Sequence, residues 1–292
     1  MAAGHPIDVL RIASCMAENA DAMCRELARY LAQRLGIAVE LVENVPWPER
    51  ERLLDAGAIH LCWLCGLPYV EKADRGQPLE PCVAPVMRGT RYGGEPVYFS
   101  DVVVSSASRY ASFADLRGCT WAYNEPRSHS GYIVVRHYLA ARGHTHDYFG
   151  RWVEAGAHQA ALRMIVSGEV AAAAIDSTVL DAEVRRDPGL ARKVKIVETL
   201  GPSPAPPWVV SRAVPAPLRL RLRECLAAMS GDAEGRRILD GWEVSHWRAV
   251  DDAAYDAIRT MTREADLLNI RKMGDSPQCR LQSGSMEEGG RS

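Results

Sequence analysis

The sequence predicts an α/β fold built as one lobe inserted into another. Strand-like runs alternate with helical ones along most of the chain, which calls for a mainly parallel sheet flanked by helices. Two connectors, near residues 95–97 and 199–207, bracket a self-contained middle block. A hydrophobic content of 47% against 25% charged residues supports an ordinary globular core without staples.

The elements follow in order. An apolar run at 9–13 reads as a strand, and Ala20, Met23, Leu27, Tyr30 and Leu31 recur at the spacing of one helix face. Residues 38–42 and 58–64 read as strands separated by a helix at 49–56. A second set begins with a strand at 97–105 and continues through strands at 120–123, 151–154, 170–175 and 193–197. Between them lie helical patterns at 113–116, 132–142, 158–167 and 178–186. The proline-rich stretch 201–207 reads as an extended connector, followed by a strand at 208–211 and three further helical patches. The expected division is a first lobe from 6–97 and 199–270, an inserted lobe at 98–198 and a disordered tail at 271–292, where Gly, Ser and charge dominate. A cleft between such lobes is where a small ligand sits, near strand C-termini.

Charge and composition remove several classes of function. Thirty-five basic and 37 acidic residues leave a net charge of −2, so nothing global draws the chain to nucleic acid or an anionic membrane. Neither a transmembrane run of about 18 apolar residues nor a basic-then-apolar leader is present, so the chain as written reads as cytoplasmic and uninserted; a trimmed leader would make it periplasmic or extracytoplasmic. Eight scattered cysteines read as reduced thiols. Cys62 and Cys65 form a C-x-x-C, but no second pair completes a four-ligand set, so neither a metal nor a cofactor is expected. No Walker loop, nucleophile elbow or H-E-x-x-H is found, and no catalytic residue is assigned.

The chemistry concentrates at Asn124-Glu-Pro-Arg-Ser-His-Ser-Gly-Tyr132. Pro126 ends the preceding strand, and after Gly131 the pairs Val134/Tyr138 and Val135/Leu139 open a helix. Serine hydroxyls, free first-turn N–H groups and the positive end of a helix dipole therefore meet at Ser128, His129, Ser130 and Gly131, a cradle for an oxyanion. Simple N-capping by one serine is the structural alternative. His158 opens a helix with core face Leu162, Ile165 and Val166, Tyr98 starts an alternating strand, and Asp176 ends an apolar one; surface, packing and capping roles compete with ligand contact at each.

Several segments together resemble the phosphate/phosphite/phosphonate substrate-binding proteins of ABC transporters. These are Tyr98-Phe-Ser-Asp-Val-Val-Val104, Phe113-Ala-Asp-Leu-Arg-Gly118, Pro126-Arg-Ser-His-Ser-Gly131, Ala155-Gly-Ala-His158, Gly168-Glu-Val-Ala-Ala-Ala-Ala-Ile-Asp-Ser177 and Gly201-Pro-Ser-Pro204, in the family's order. The resemblance implies a two-lobe type 2 periplasmic-binding-protein fold that closes on a small oxyanion, with a transporter permease or a signalling protein as partner. It implies oxyanion contact by Ser128, His129 and Ser130, where His129 replaces the family's threonine and offers an imidazole donor. It further implies contacts from His158 and Tyr98, and a facing loop at 63–69 that brings Trp63, Cys65 and Tyr69 to the ligand. Family members that bind aminoalkyl phosphonates carry acids where Thr178 and Pro206 stand here, with Asp176 nearby. A second reading is an intracellular enzyme on the same fold, with His129, His158, Asp176 and Cys65 as acid–base or nucleophilic groups.

Overall fold

The computed structural model describes residues 7–16 and 20–274. The chain opens with three strand–helix units: β1 (Val9–Ser14) and α1 (Ala20–Leu35), β2 (Ala38–Leu41) and α2 (Trp47–Asp55), β3 (Leu61–Trp63) and α3 (Gly66–Asp74). It continues into β4 (Leu79–Met87) and crosses to β5 (Val97–Ser105). Three more units follow: β6 (Thr120–Tyr123) and α4 (Val134–Ala141), β7 (Arg151–Glu154) and α5 (His158–Ser167), β8 (Ala172–Asp176) and α6 (Ser177–Arg186). A short α7 (Leu190–Lys193) leads into β9 (Val194–Pro204), and the chain returns through β10 (Trp208–Ser211), α8 (Ala216–Ala228), α9 (Ala233–Asp240), β11 (Val244–Ala249) and α10 (Asp256–Gly274). Residues 275–292, most of the expected tail, lie outside the described residues, and 271–274 continue α10.

These strands form two sheets, ordered β11-β4-β10-β3-β1-β2 and β7-β6-β8-β5-β9. Each is mixed where a mainly parallel sheet was expected. The βα units supply the parallel pairs, whereas β10, β4, β11, β5 and β9 add antiparallel ones. A single helix crossover sets the two strands it joins parallel, and none of the antiparallel partners is joined by one. Strands β4 and β11 were not expected; Pro81 and Pro85 argue against a ladder in β4, which accommodates them beside register shifts in both of its pairings.

Segment 199–204, grouped by sequence with the first lobe, pairs with β5 as far as Val97↔Pro204. The two crossings then run side by side, the Ala205 N–H donating to the Pro96 carbonyl at 2.8 Å. Tyr255 donates to the Ala205 carbonyl at 3.1 Å, and α10 continues onto α4, where the buried Arg136 donates to the Ala265 carbonyl at 2.9 Å. The last helix thus touches the elements of both sheets.

Each sheet has its own core. Helix α1 buries Met23, Leu27 and Leu31, the face expected from its spacing, against Leu10, Ile12, Trp208 and Leu226. Trp121, Phe149, Val135 and Leu139 lie at the centre of the second core. Trp208 is fully buried on β10, stacked on Trp63 at 5.9 Å and edge-on to Trp247 at 6.5 Å. Truncating so large a buried ring leaves a cavity that the central strand cannot collapse. Trp208→Ala should cost about 3–5 kcal/mol in chemical denaturation; a loss below about 1 kcal/mol would show that this cluster does not hold the first sheet together.

Candidate functional site

Parallel strands deliver their chains to helices at one end of each sheet, so helix N-termini gather there. Cys65 precedes α3, Ala157 precedes α5, and Asp176 precedes α6, while Ser128 caps a π-helical turn (His129–Ile133) that feeds α4. All four cap residues line one cavity of about 160 Å³, with Trp47 at the start of α2 beside them. Each helix start presents unpaired N–H groups and about half an elementary positive charge. Nothing in strand propensity requires this convergence; it follows from two sheets meeting at their strand C-termini.

The Ser128 turn shows how the sequence builds its wall. Ser128 sits in extended geometry, and its Oγ accepts from the Gly131 N–H at 3.1 Å, so it caps the helix as well as lining the cavity. Ser130 Oγ lies 2.9 Å from His158 Nε2 and 3.5 Å from Ser128 Oγ. Gly131 is required by close approach: a Cβ there would fall 1.9 Å from Asn124 Oδ1 and 3.3 Å from His158 Cε1. Asn124 also lines the cavity, and its Oδ1 is buried with no protein partner.

The cavity's electrostatics come from dipoles and neutral donors. Among the described residues, no lysine or arginine lines it. Burial pulls the His158 imidazole down to about 4, so at neutral pH it is uncharged, and burial pushes the Tyr98 phenol well above its ordinary value, keeping its proton. The neighbouring Arg127 offers no free charge: it donates to Glu51 at 2.8 and 3.0 Å and to Glu71 at 2.9 Å. Asp176 is raised to about 6 by burial, despite accepting from the Thr178 N–H at 2.8 Å and its hydroxyl at 2.7 Å. Burial likewise raises the Glu125 carboxyl and the Cys65 thiol. Helix N-termini and neutral donors suit an anion, whereas an ionised Asp176 opposes one until its raised carboxyl takes up a proton.

Of the residues singled out from sequence, Ser128, Ser130, His158, Tyr98, Asp176 and Cys65 line this cavity. Trp63 lines an adjoining one and donates through Nε1 to the Pro206 carbonyl at 3.0 Å. Gly131 stands behind the wall. Two residues go elsewhere. The His129 side chain is fully buried with Nε2 3.0 Å from Ser203 Oγ, so its imidazole does not reach the ligand face; the tight turn directs Ser128 and Ser130 to the cavity and the residue between them inward. Tyr69 is not in a loop but one turn into α3, which rotates it onto Tyr255 with its hydroxyl donating to Asp252 at 2.5 Å. The cavity also takes in Asn124 and Glu125 from the opening of the oxyanion stretch, Gln159 beside His158, and Pro206, whose place the family resemblance marked; Cys15 and Trp47 join them with no local signal. Cys62 faces the core, its Sγ 3.6 Å from that of Cys15.

A larger groove of about 510 Å³ near Tyr69 has arginines on its walls, but Arg259 is bonded to Asp74, Asp252 and Asp256. Arg212 lies 3.7 Å from Glu80, and Arg223 donates to the Pro81 carbonyl at 3.0 Å. Among the described residues, no helix is long and apolar enough to cross a membrane, and no cluster of three or more His, Cys, Asp or Glu is arranged for a metal ion.

The sequence profile described as "ABC transporter, phosphonate, periplasmic substrate-binding protein" matches residues 13–255. The chain belongs to this family. Its fold is the two-lobe type 2 periplasmic-binding-protein fold with an interlobe cleft, as in the binding-protein component of a phosphonate ABC transporter from Pseudomonas aeruginosa. That structure superposes with a TM-score of 0.79 at 18% identity over 92% of this chain and 90% of its own. A Prochlorococcus marinus family protein solved with methylphosphonate gives 0.74 at 16% identity over 89% and 98%. A Xanthomonas citri protein solved with ATP gives 0.72 at 17% identity over 90% and 99%.

The inward-turned His129 separates stability from binding. Burial holds its imidazole near 4 in the fold, against about 6.5 unfolded, so its contribution is fully present above pH 6.5 and is lost as the pH falls towards 4. His129→Ala should lower stability by about 2 kcal/mol at neutral pH and flatten the acid limb of a stability–pH curve, while affinity for methylphosphonate changes less than about threefold. A selective loss of affinity would return the imidazole to the ligand.

Proposed function

We propose that this chain is the solute-binding component of an ABC transporter and captures a small tetrahedral oxyanion of the phosphate, phosphite or phosphonate class. The observation that carries this reading is the convergence of four helix N-termini with Ser128, Ser130, His158 and Tyr98 on one cavity without a lining cation. Neutral donors and dipoles in a site that closes against water give short, charge-assisted hydrogen bonds to an anion, and fixed geometry favours three equivalent oxygens over a planar carboxylate. The lobes, 6–97 with the returning chain and the inserted block built on β5 to β9, would move about the paired crossings at Pro96 and Ala205. Arg127 then ties the oxyanion turn to α2 and α3 of the other lobe through Glu51 and Glu71, an interaction available only when the cleft is narrow. The working location is the periplasm or its extracytoplasmic equivalent, facing a permease that accepts the closed form. That a relative was solved with methylphosphonate supports the ligand class.

Two outcomes test this. Ser128→Ala/Ser130→Ala removes two hydroxyls at roughly 1.5–3 kcal/mol each when bonded to a charged group, so calorimetric affinity for methylphosphonate should fall at least 100-fold, with the cap loss costing only about 1 kcal/mol of stability. Unchanged affinity would move the site elsewhere. Binding should also strengthen as pH drops from 7.5 to 5, once the ligand's own ionisation is corrected for. Asp176 takes up its proton near 6 and ceases to repel the anion. Asp176→Asn, which keeps the helix cap, should flatten most of that slope, whereas affinity that weakens towards pH 5 would contradict the assignment.

A further inference from the structure

The oxyanion cavity does not end at Asp176. A second cavity of about 260 Å³ adjoins it, and Met16, Tyr98, Asp176, Val179 and Pro206 belong to the walls of both. Beyond that shared neck the character changes: Trp63, Pro85, Met87, Ala182, Trp242 and Val244 line the extension. Trp63, Met87 and Trp242 are only partly buried, so apolar surface in the middle of the fold remains uncovered. Its charged lining groups, among the described residues, are Asp176 at the neck and the exposed Arg185. Among the described residues the arm beyond this neck has no acid on its walls, and the Arg185 guanidinium would repel a cationic substituent, while Asp176 is already engaged by two hydrogen bonds from Thr178.

We infer that the ligand is an oxyanion bearing an apolar organic substituent, an alkyl- or arylphosphonate or the corresponding monoester, whose head occupies the Ser128–His158 cavity and whose tail fills the Trp63–Trp242 extension. This rests on the oxyanion reading of the first cavity and adds the substrate class. At about 30 Å³ for each water-sized group, the extension holds a tail of roughly eight heavy atoms or fewer. Desolvating apolar walls in a preformed arm favours an apolar tail, and a polar or charged tail would give up hydration without a partner. Inorganic phosphate would leave the arm filled only with water.

The test is calorimetry of the full chain with phosphate and with methyl-, propyl-, butyl-, phenyl- and 2-aminoethylphosphonate. Affinity should rise up to about fourfold per methylene from methyl to butyl, phenylphosphonate should bind at least tenfold more tightly than methylphosphonate, and propylphosphonate should exceed its near-isostere 2-aminoethylphosphonate. Ala182→Leu, which narrows the arm from α6, should shrink the butyl-to-methyl affinity ratio. If methylphosphonate binds but affinity is flat or falls with chain length, or the aminoethyl compound is preferred, the apolar-tail inference is overturned while the oxyanion site stands. If none of the compounds binds, both fail.

Discussion

Everything at this site depends on where helix N-termini point. Two mixed sheets meet at the C-terminal ends of their parallel strands, and four of the six βα units bring the residue that precedes a helical turn to the same small volume. Four partial positive charges and their unpaired N–H groups then act together on one cavity. Side chains refine this field: Ser128 and Ser130 line the cavity with hydroxyls, and His158 and Tyr98 stay neutral through burial. A lysine or arginine in this position would bind anions of every shape. Fixed neutral donors discriminate by geometry, and they release the ligand without breaking an ion pair.

The same constraint explains why the larger groove is the weaker candidate. Arg259 is held by three carboxylates and Arg212 lies 3.7 Å from Glu80, so an anion reaching either would compete with an existing acid. Size favours the groove. Unspent hydrogen-bonding capacity favours the small cavity and the apolar extension that opens from it.

Much of this was legible in the residues. The alternation of strand and helix, the amphipathic face of α1 and the Ser-x-Ser-Gly turn are local patterns with local causes; the family resemblance joined His158, Tyr98 and Cys65 to that turn, and all three line one cavity with Ser128, Ser130 and Asp176. What stayed hidden depends on the third dimension. The sense of Pro-bearing β4 and of β10 and β11 is set by sheet partners, not by propensity. The family resemblance implies a ligand role for His129, at the place of the family's threonine, but a turn that aims its neighbours one way aims the middle residue the other, towards Ser203. The resemblance implies a facing loop at 63–69, but α3 begins at Gly66 and turns Tyr69 onto Tyr255. Trp47, Cys15 and Pro206 reach the cavity from three separate segments, and no one-dimensional spacing records that meeting.

Diffraction from crystals grown with methylphosphonate tests the central claim most directly. The account predicts the phosphonate in the Ser128–His158 cavity, its oxygens within hydrogen-bond distance of Ser130, His158, Tyr98 and first-turn N–H groups, and its methyl group turned towards Trp63 and Pro206. Phosphonate bound instead in the arginine-lined groove beside Tyr69, or held in the cleft by a freed Arg127 side chain, would contradict it.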